Sequence, residues 1–283
     1  MKSFFKHITK KIYLAILLML LASLSLALSG LFVKLADPFY STNFIICLKS
    51  AINFATMITY ICFFSGRKFQ LRNIKTKNLS LQIFRALCGL GTVYFLYYGI
   101  KLYSYPKSVL LVFSYPIFVP LAARIILKTP IVPKLWIGIA ISFCGVVLVV
   151  GGGNIFNVLA FIPLIGSLSA ATGTVALKKL HGYDSWEVTT IYFFGLSFLI
   201  SFFIVVVFGP IPQRIIFLPF LFALLAGIVS TIYQVLLSIS STMAPIRLLS
   251  PIVFISFVFS DIINYLIFDM NLGLYLILAF SLL

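Results

Sequence analysis

"FRALCGLGTVYFLYYGIKLYSYPKSVLLVFSYPIF", residues 84–118, is two apolar runs joined through Lys101, Pro106 and Lys107, with three cations and no acid. A second stretch, "LFALLAGIVSTIYQVLLSISSTMAPIRLLSPIVF" at 221–254, can be laid on it. Ala86 and Gly89 then meet Ala223 and Ala226, and Pro106 meets Pro245 with a shift of about two residues. The pairing describes a duplicated chain, and the composition around it says where such a chain lives.

Of 283 residues, 62% are hydrophobic and only 9% charged. A soluble domain carries roughly a quarter charged residues, so this chain would have nothing with which to cover its surface. Runs of about 20 apolar residues, enough to cross roughly 30 Å of hydrocarbon, recur along its length. The reading is a polytopic helical membrane protein. The net charge of +16 comes from 21 Lys and Arg against 5 Asp and Glu. On a soluble chain that excess would suggest nucleic acid. Here the basic residues cluster in particular loops, as the positive-inside rule requires, and no nucleic-acid partner is expected. Cys47, Cys62, Cys88 and Cys144 all lie in apolar runs without metal-ligand spacing, and read as packing residues. The start, "MKSFFKHITKKIYLAILLMLLASLSLALSG", imitates a signal peptide, but its long apolar run is followed by more membrane, which favours an uncleaved first span.

Apolar runs between charged or Pro/Gly-rich breaks predict ten spans, near 13–35, 42–65, 79–100, 105–127, 134–150, 155–177, 186–208, 215–239, 244–267 and 271–283. The last is short for a crossing. Basic residues mark the N-terminal tail, the loop "GRKFQLRNIKTKN", Lys128 with Lys134, and Lys178 with Lys179. The opposite loops "ADPFYST", "GGGNIFN" and "FDMN" have no Lys or Arg, with Lys101, Lys107 and Arg214 as the exceptions on that side. Both termini are therefore expected in the cytoplasm. The "GGGN" at 151–154 divides the spans five and five. Five is odd, so the halves are oppositely oriented, an arrangement found in secondary transporters with a site near the midplane.

Three features resemble the EamA-type members of the drug/metabolite transporter superfamily. They are the five-plus-five arrangement, the proline-containing fourth span "SYPKSVLLVFSYPIFVPLAARIILK" with its follow-on "LWIGIAISFCGVVLVVGG" (Gly138 and Gly145 seven apart), and "MAPIRLLSPIVFISFVFSDIINYLIFD" in the second half. Asp269 keeps the acid that family members place at the end of the ninth span, whereas Lys128 replaces it after the fourth. The resemblance implies alternating access around a cavity lined by spans one, three, four, six, eight and nine. "RALCGLGTVYF" and "APIR" look most like members from intracellular bacteria that exchange metabolites with a host, S-adenosylmethionine transporters among them.

Ionisable groups at membrane depth are candidates for function, with snorkelling to the headgroups as the alternative. Lys34 and Lys49 can both snorkel from the outer ends of spans one and two. Arg85, about five residues into span three, either reaches cytoplasmic headgroups or holds a substrate carboxylate or phosphate bidentately. Tyr94 and Tyr98 share one face and offer a flat apolar surface with a hydroxyl, to a cavity or to the interface. Tyr115 in span four, with Tyr233 and Gln234 beside Ser230 in span eight, completes the candidate substrate contacts. Asp261, with Asn264 one turn on, lies about 21 Å along its helix from Arg247, too far to pair with it. It is either a coupling carboxylate or the structural partner of Lys34 or Lys49. Asp184 and Glu187 complement the dipole at the start of span seven. Lys107 and Arg247, each just after a helix-opening proline, are candidate anion-attracting vestibules on opposite sides, or headgroup anchors. His7 and His181 fall in cytoplasmic loops, and no nucleophile–base or metal-ligand spacing is present.

The expectation is an all-α protein of ten transmembrane helices in two inverted five-helix repeats, 1–150 and 154–283. It would be a bacterial inner-membrane secondary transporter, not an enzyme, needing no cofactor or metal. Its partners would be the lipid bilayer and a small-molecule substrate, an S-adenosylmethionine-, nucleotide- or amino-acid-like metabolite, and it would be a monomer or homodimer. The alternatives are a multidrug or amino-acid exporter with a promiscuous aromatic cavity, and a membrane-embedded lipid-handling enzyme.

Overall fold

In hydrocarbon a segment has to satisfy its backbone internally, which leaves helices as the solution for a chain of this composition. The computed structural model describes residues 2–63, 74–102, 105–129, 136–137, 140, 161–209, 212 and 214–268; side chains are described there except at 2–10, 105–107, 113, 161, 247 and 268. Every regular element among these residues is helical. In chain order they are α1 (Lys2–Ala36), α2 (Thr42–Phe63), α3 (Leu79–Leu102), α4 (Tyr105–Phe113), α5 (Val119–Ile126), α6 (Phe161–Leu180), α7 (Trp186–Phe208), α8 (Phe217–Met243), α9 (Ile246–Leu249) and α10 (Ile255–Phe268). Six segments are long and apolar enough to cross a membrane, and a seventh if α4 and α5 form one bent span. The predicted fifth and tenth spans, the "GGGN" junction and Asp269 lie outside the described residues.

Two predicted spans are broken where continuous helices were expected. The fourth passes through a 3₁₀ turn, Tyr115–Ile117, and bends by 48°. The ninth begins as the short α9, passes through the 3₁₀ segment Ser250–Phe254, and resumes as α10. Pro116 and Pro251 supply the cause. Each lacks an N–H, and its ring opposes the carbonyl four residues back. Beside the first break Ser114 Oγ donates to the Leu111 carbonyl at 2.7 Å and lies 3.2 Å from Ser167 Oγ.

The longest contacts run between α1 and α8 and between α3 and α6. α2 packs on α7 and α8, α3 also meets α7, and α1 meets α10 while α6 meets α4 and α5. Exchanging α1 with α6, α2 with α7, α3 with α8, and α4/α5 with α9/α10 carries this set of contacts onto itself. Small residues permit the close crossings. Ala15, Ala22 and Ala27 of α1 are buried with Ala223 and Ala226 of α8, and Ser29 Oγ donates across to the Ala226 carbonyl at 3.1 Å. At the α3–α6 crossing, Ser169 Oγ donates to the Cys88 carbonyl at 3.0 Å, and a Cβ on Gly173 would lie 3.2 Å from Cys88 Cβ.

Polar contacts tie the two ends of the bundle. At one end Lys101 pairs with Asp37 at 3.4 Å, and Tyr40 Oη bridges the carbonyl and N–H of Ile216. At the other, Asp184 was expected to serve the dipole of α7; instead it accepts from Thr76 Oγ1, the Lys77 N–H and Gln82 Nε2, and so fastens the entry to α3. Ser185 caps α7, accepting from the Val188 N–H. α4 opens at the Asp37–Lys101 end, while α9 opens at the opposite end, where Lys178 Nζ donates to the Ser241 and Ala244 carbonyls.

The α2–α8 crossing has a direct test. A Cβ on Gly227 would come within 2.8 Å of Ile52 Cβ, whereas on Gly99 the nearest atom is Ser108 Cβ at 3.4 Å. Gly227→Ala is expected to lower the thermal midpoint of the detergent-solubilised protein, overpacking costing about 1–3 kcal/mol. Gly99→Ala should leave the midpoint unchanged or raise it, since alanine is the better helix former. Equal midpoints for the two variants would refute the close crossing.

Candidate functional site

Helices crossing at an angle and pinned by small residues cannot fill the middle of the bundle, and a cavity of about 120 Å³ remains there. α2 contributes Lys49, Ser50 and Asn53, three positions of one helix face. α3 contributes Arg85, Gly89, Leu90, Val93 and Leu96. α6, α7 and α8 close it with Thr174, Phe193, Phe194, Ser230, Tyr233 and Gln234, while Tyr115 enters from the break after α4 and Leu26 from α1. Spans two and seven thus line the cavity, contrary to the expected set, and no residue of α9 or α10 is among the lining residues.

Arg85 is 2% exposed and does not snorkel. Its Nη1 donates to the Thr189 carbonyl, and its guanidinium carbon lies 4.6 Å from the centre of the Phe193 ring. Phe193 can reach this position because residue 89 is glycine: a Cβ there would sit 2.4 Å from Phe193 Cε2. Arg85 Nη2 is buried and has no hydrogen-bond partner among the described residues. Lys49 also points inward, donating to Tyr97 Oη at 2.9 Å with its Nζ 5.3 Å from that ring's centre. Asn53, turned so that its amide nitrogen meets acceptors, donates to the Gly227 and Lys49 carbonyls at 2.7 and 3.0 Å and ties α2 to α8. Two cations therefore face the cavity, and none of its lining residues is acidic.

Of the candidates from sequence, Arg85, Tyr115, Tyr233 and Gln234 are brought together here. Tyr94 and Tyr98 are not. They stack on each other with ring centres 6.4 Å apart, away from the lining, and Tyr98 is 45% exposed. Asn264 faces α1 instead, accepting from Lys34 Nζ at 3.0 Å, and Asp261 is not among the lining residues; its Oδ2 is buried without a partner among the described residues. Lys49, which alternatively was to pair with Asp261, is bonded to Tyr97. The side chains of Lys107 and Arg247 lie outside the described residues. Lys49, Asn53 and Phe193 were missed as cavity residues. The i, i+4 spacing of Lys49 and Asn53 was available as a signal.

At the Arg85 end, a polar cluster closes the bundle below the cavity. His181 lies in the turn after α6, with Nε2 3.4 Å from both Thr189 Oγ1 and Ser238 Oγ, and Nδ1 3.2 Å from Ser241 Oγ. Sequence placed this histidine in a solvated loop, whereas the fold buries most of it. Burial, reinforced by the charges of Arg85 and Lys178, pushes its imidazole down to about 3, so it is neutral at physiological pH. Among the described residues, no group of three or more His, Cys, Asp or Glu side chains is placed to hold a metal ion.

Residues 13–151 match the EamA-like transporter family. That is the half of the chain containing α1 to α5, Lys49 and Arg85. The EamA-like match, with six apolar helices of membrane length, supports a multi-pass membrane transporter of the drug/metabolite type. No curated protein matches the chain. A solved structure titled "Crystal structure of protein" superposes with a TM-score of 0.72, covering 95% of this chain and 93% of its own at 15% identity, which shows a shared fold.

The His181 cluster gives a pH dependence. An imidazole at about 3 in the folded chain and near 6.5 when unfolded stabilises the fold fully above pH 6.5, and that contribution is lost as pH falls toward 3. Between pH 6.5 and pH 4 the loss is on the order of 3 kcal/mol. His181→Gln should flatten this part of the acid-side decline in thermal midpoint; a decline as steep as in the unaltered protein would remove His181 as its source.

Proposed function

We propose that this protein is a secondary transporter that moves a small organic metabolite across a bacterial inner membrane by alternating access, with both termini in the cytoplasm. The observation that carries the reading is the central cavity, built from both halves of the chain at once: Lys49, Arg85 and Tyr115 from one, Phe193, Tyr233 and Gln234 from the other. A site shared in this way changes access when the halves rock against each other. The halves are residues 1–150 and 154–283, taken as inverted five-helix repeats. Supporting this are the exchange symmetry of the helix contacts and the proline breaks in α4–α5 and α9–α10.

Arg85, Tyr115, Tyr233 and Gln234 are the proposed substrate contacts, with Lys49 added. Asp261 is the candidate coupling carboxylate, and Asn264 anchors it to α1 through Lys34. Lys107 and Arg247 are proposed vestibule cations, because α4 and α9 open at opposite ends of the bundle. Nucleotide- and amino-acid-like solutes, S-adenosylmethionine included, form the panel to be tested.

Counterflow of labelled metabolites in proteoliposomes tests the reading. Saturable exchange of at least one solute is expected. Arg85→Gln should reduce it roughly tenfold or more, the loss of about 1.4 kcal/mol or greater in binding. Phe208→Ala, at a 73% exposed position on α7, should leave it intact. Absence of exchange for every solute, alongside chemical modification of a lipid, would overturn the assignment.

A further inference from the structure

Resting on the reading of the cavity as the substrate site, we propose that the substrate is an oxyanion, a solute bearing a carboxylate or phosphate that docks on the free side of the Arg85 guanidinium. Arginine presents its donors in a planar fork suited to two oxygens. Here one arm of the fork is used internally, by the Thr189 carbonyl, and Phe193 covers a face of the guanidinium. The other arm, Nη2, is buried with no partner among the described residues, in a side chain that is 98% enclosed (2% exposed) and lines the cavity. A buried cation without a counter-charge is costly, and a cation–π contact offsets only part of that cost. No lining residue can neutralise it, since the lining carries Lys49 and Arg85 but no Asp or Glu. The missing charge has to arrive with the ligand.

Lys49 sets a second level. It is bonded to Tyr97, twelve residues along α3 from Arg85, which is about 18 Å of helix axis. Lys49 thus attracts an anion entering from the Asp37–Lys101 end, and Arg85 receives it at the other. The hydroxyls and amides between them, on Ser230, Gln234 and Thr174, can bond the uncharged polar remainder of the solute, and Phe194 and Leu90 offer it apolar surface. The same two cations weigh against S-adenosylmethionine, whose sulfonium would be brought beside them.

The test uses the full chain in phospholipid-free detergent, with inorganic phosphate, acetate and the short-chain lipid dihexanoyl phosphatidic acid as probes. Choline chloride at matched ionic strength is the control. Phosphate or acetate should raise the thermal midpoint saturably, by roughly 2–4 °C at ten times its dissociation constant. Comparing the two tells which oxyanion is preferred. Arg85→Gln should abolish the rise, Arg85→Lys should weaken it, and Lys49→Gln should weaken half-saturation several-fold. Lys101→Gln, at the exposed Asp37 pair, should leave it unchanged. The proposal fails if neither anion stabilises more than choline chloride does, if the rise survives both Arg85→Gln and Lys49→Gln, or if only the lipid binds. Counterflow separates the two readings. Oxyanion binding without exchange of any solute leaves the anion seat standing and removes the transporter, while exchange of a cationic solute without oxyanion binding does the reverse.

Discussion

Hydrocarbon offers no water to a polar group, and that constraint organises this molecule. Several hydroxyls inside the bundle are met by carbonyls of their own helix or of a neighbour, as with Thr174 on Ala170, Ser260 on Ser256 and Ser23 on Ile252. The same requirement sets where the backbone can be irregular. Around the two 3₁₀ breaks Tyr115, Ser250 and Val253 are buried while Pro251 is exposed, and Ser114 Oγ donates to the Leu111 carbonyl beside the first break. Other buried atoms among the described residues lack such a partner, Thr42 Oγ1, Ser197 Oγ and Asp261 Oδ2 among them; the Nη2 of Arg85 is the one that belongs to a cation.

Arg85 is tolerable because its surroundings are arranged around it. Gly89 vacates the space that Phe193 needs, Phe193 covers the guanidinium, and the Thr189 carbonyl takes one arm. Thr189 also approaches His181, which in turn meets Ser238 and Ser241 of α8, so the floor of the cavity and the closure beneath it share residues. Movement of α8 relative to α6 and α7 would break the His181 contacts and disturb the Thr189 partner of Arg85 together.

Much of the fold is legible in the sequence. Apolar run length is a property of composition, so α2, α3, α7 and α8 appear close to their predicted ranges, while α1 ends where predicted but begins eleven residues earlier, at Lys2. The prolines that break the fourth and ninth spans are visible too, although the run-length reading passed straight through them. Asp184 shows what it misses. A carboxylate next to a helix start reads as a dipole partner, and only the fold reveals that the entry to α3 lies within its reach.

By itself the sequence determined the medium, the length of most of the apolar segments that the structure describes, the small residues that let helices approach, and the presence of a cation inside span three. Tertiary structure alone decided which way each helix is turned. Lys49 could snorkel outward or face inward, and Tyr94 with Tyr98 could line a cavity or lie outside it; packing sent the lysine in and the tyrosine pair away. The reason is physical. Helices that are apolar all round carry little information in their periodicity about which face is buried. Rotation is then set by where glycines and alanines allow neighbouring helices to touch, a property of pairs of segments far apart in the chain.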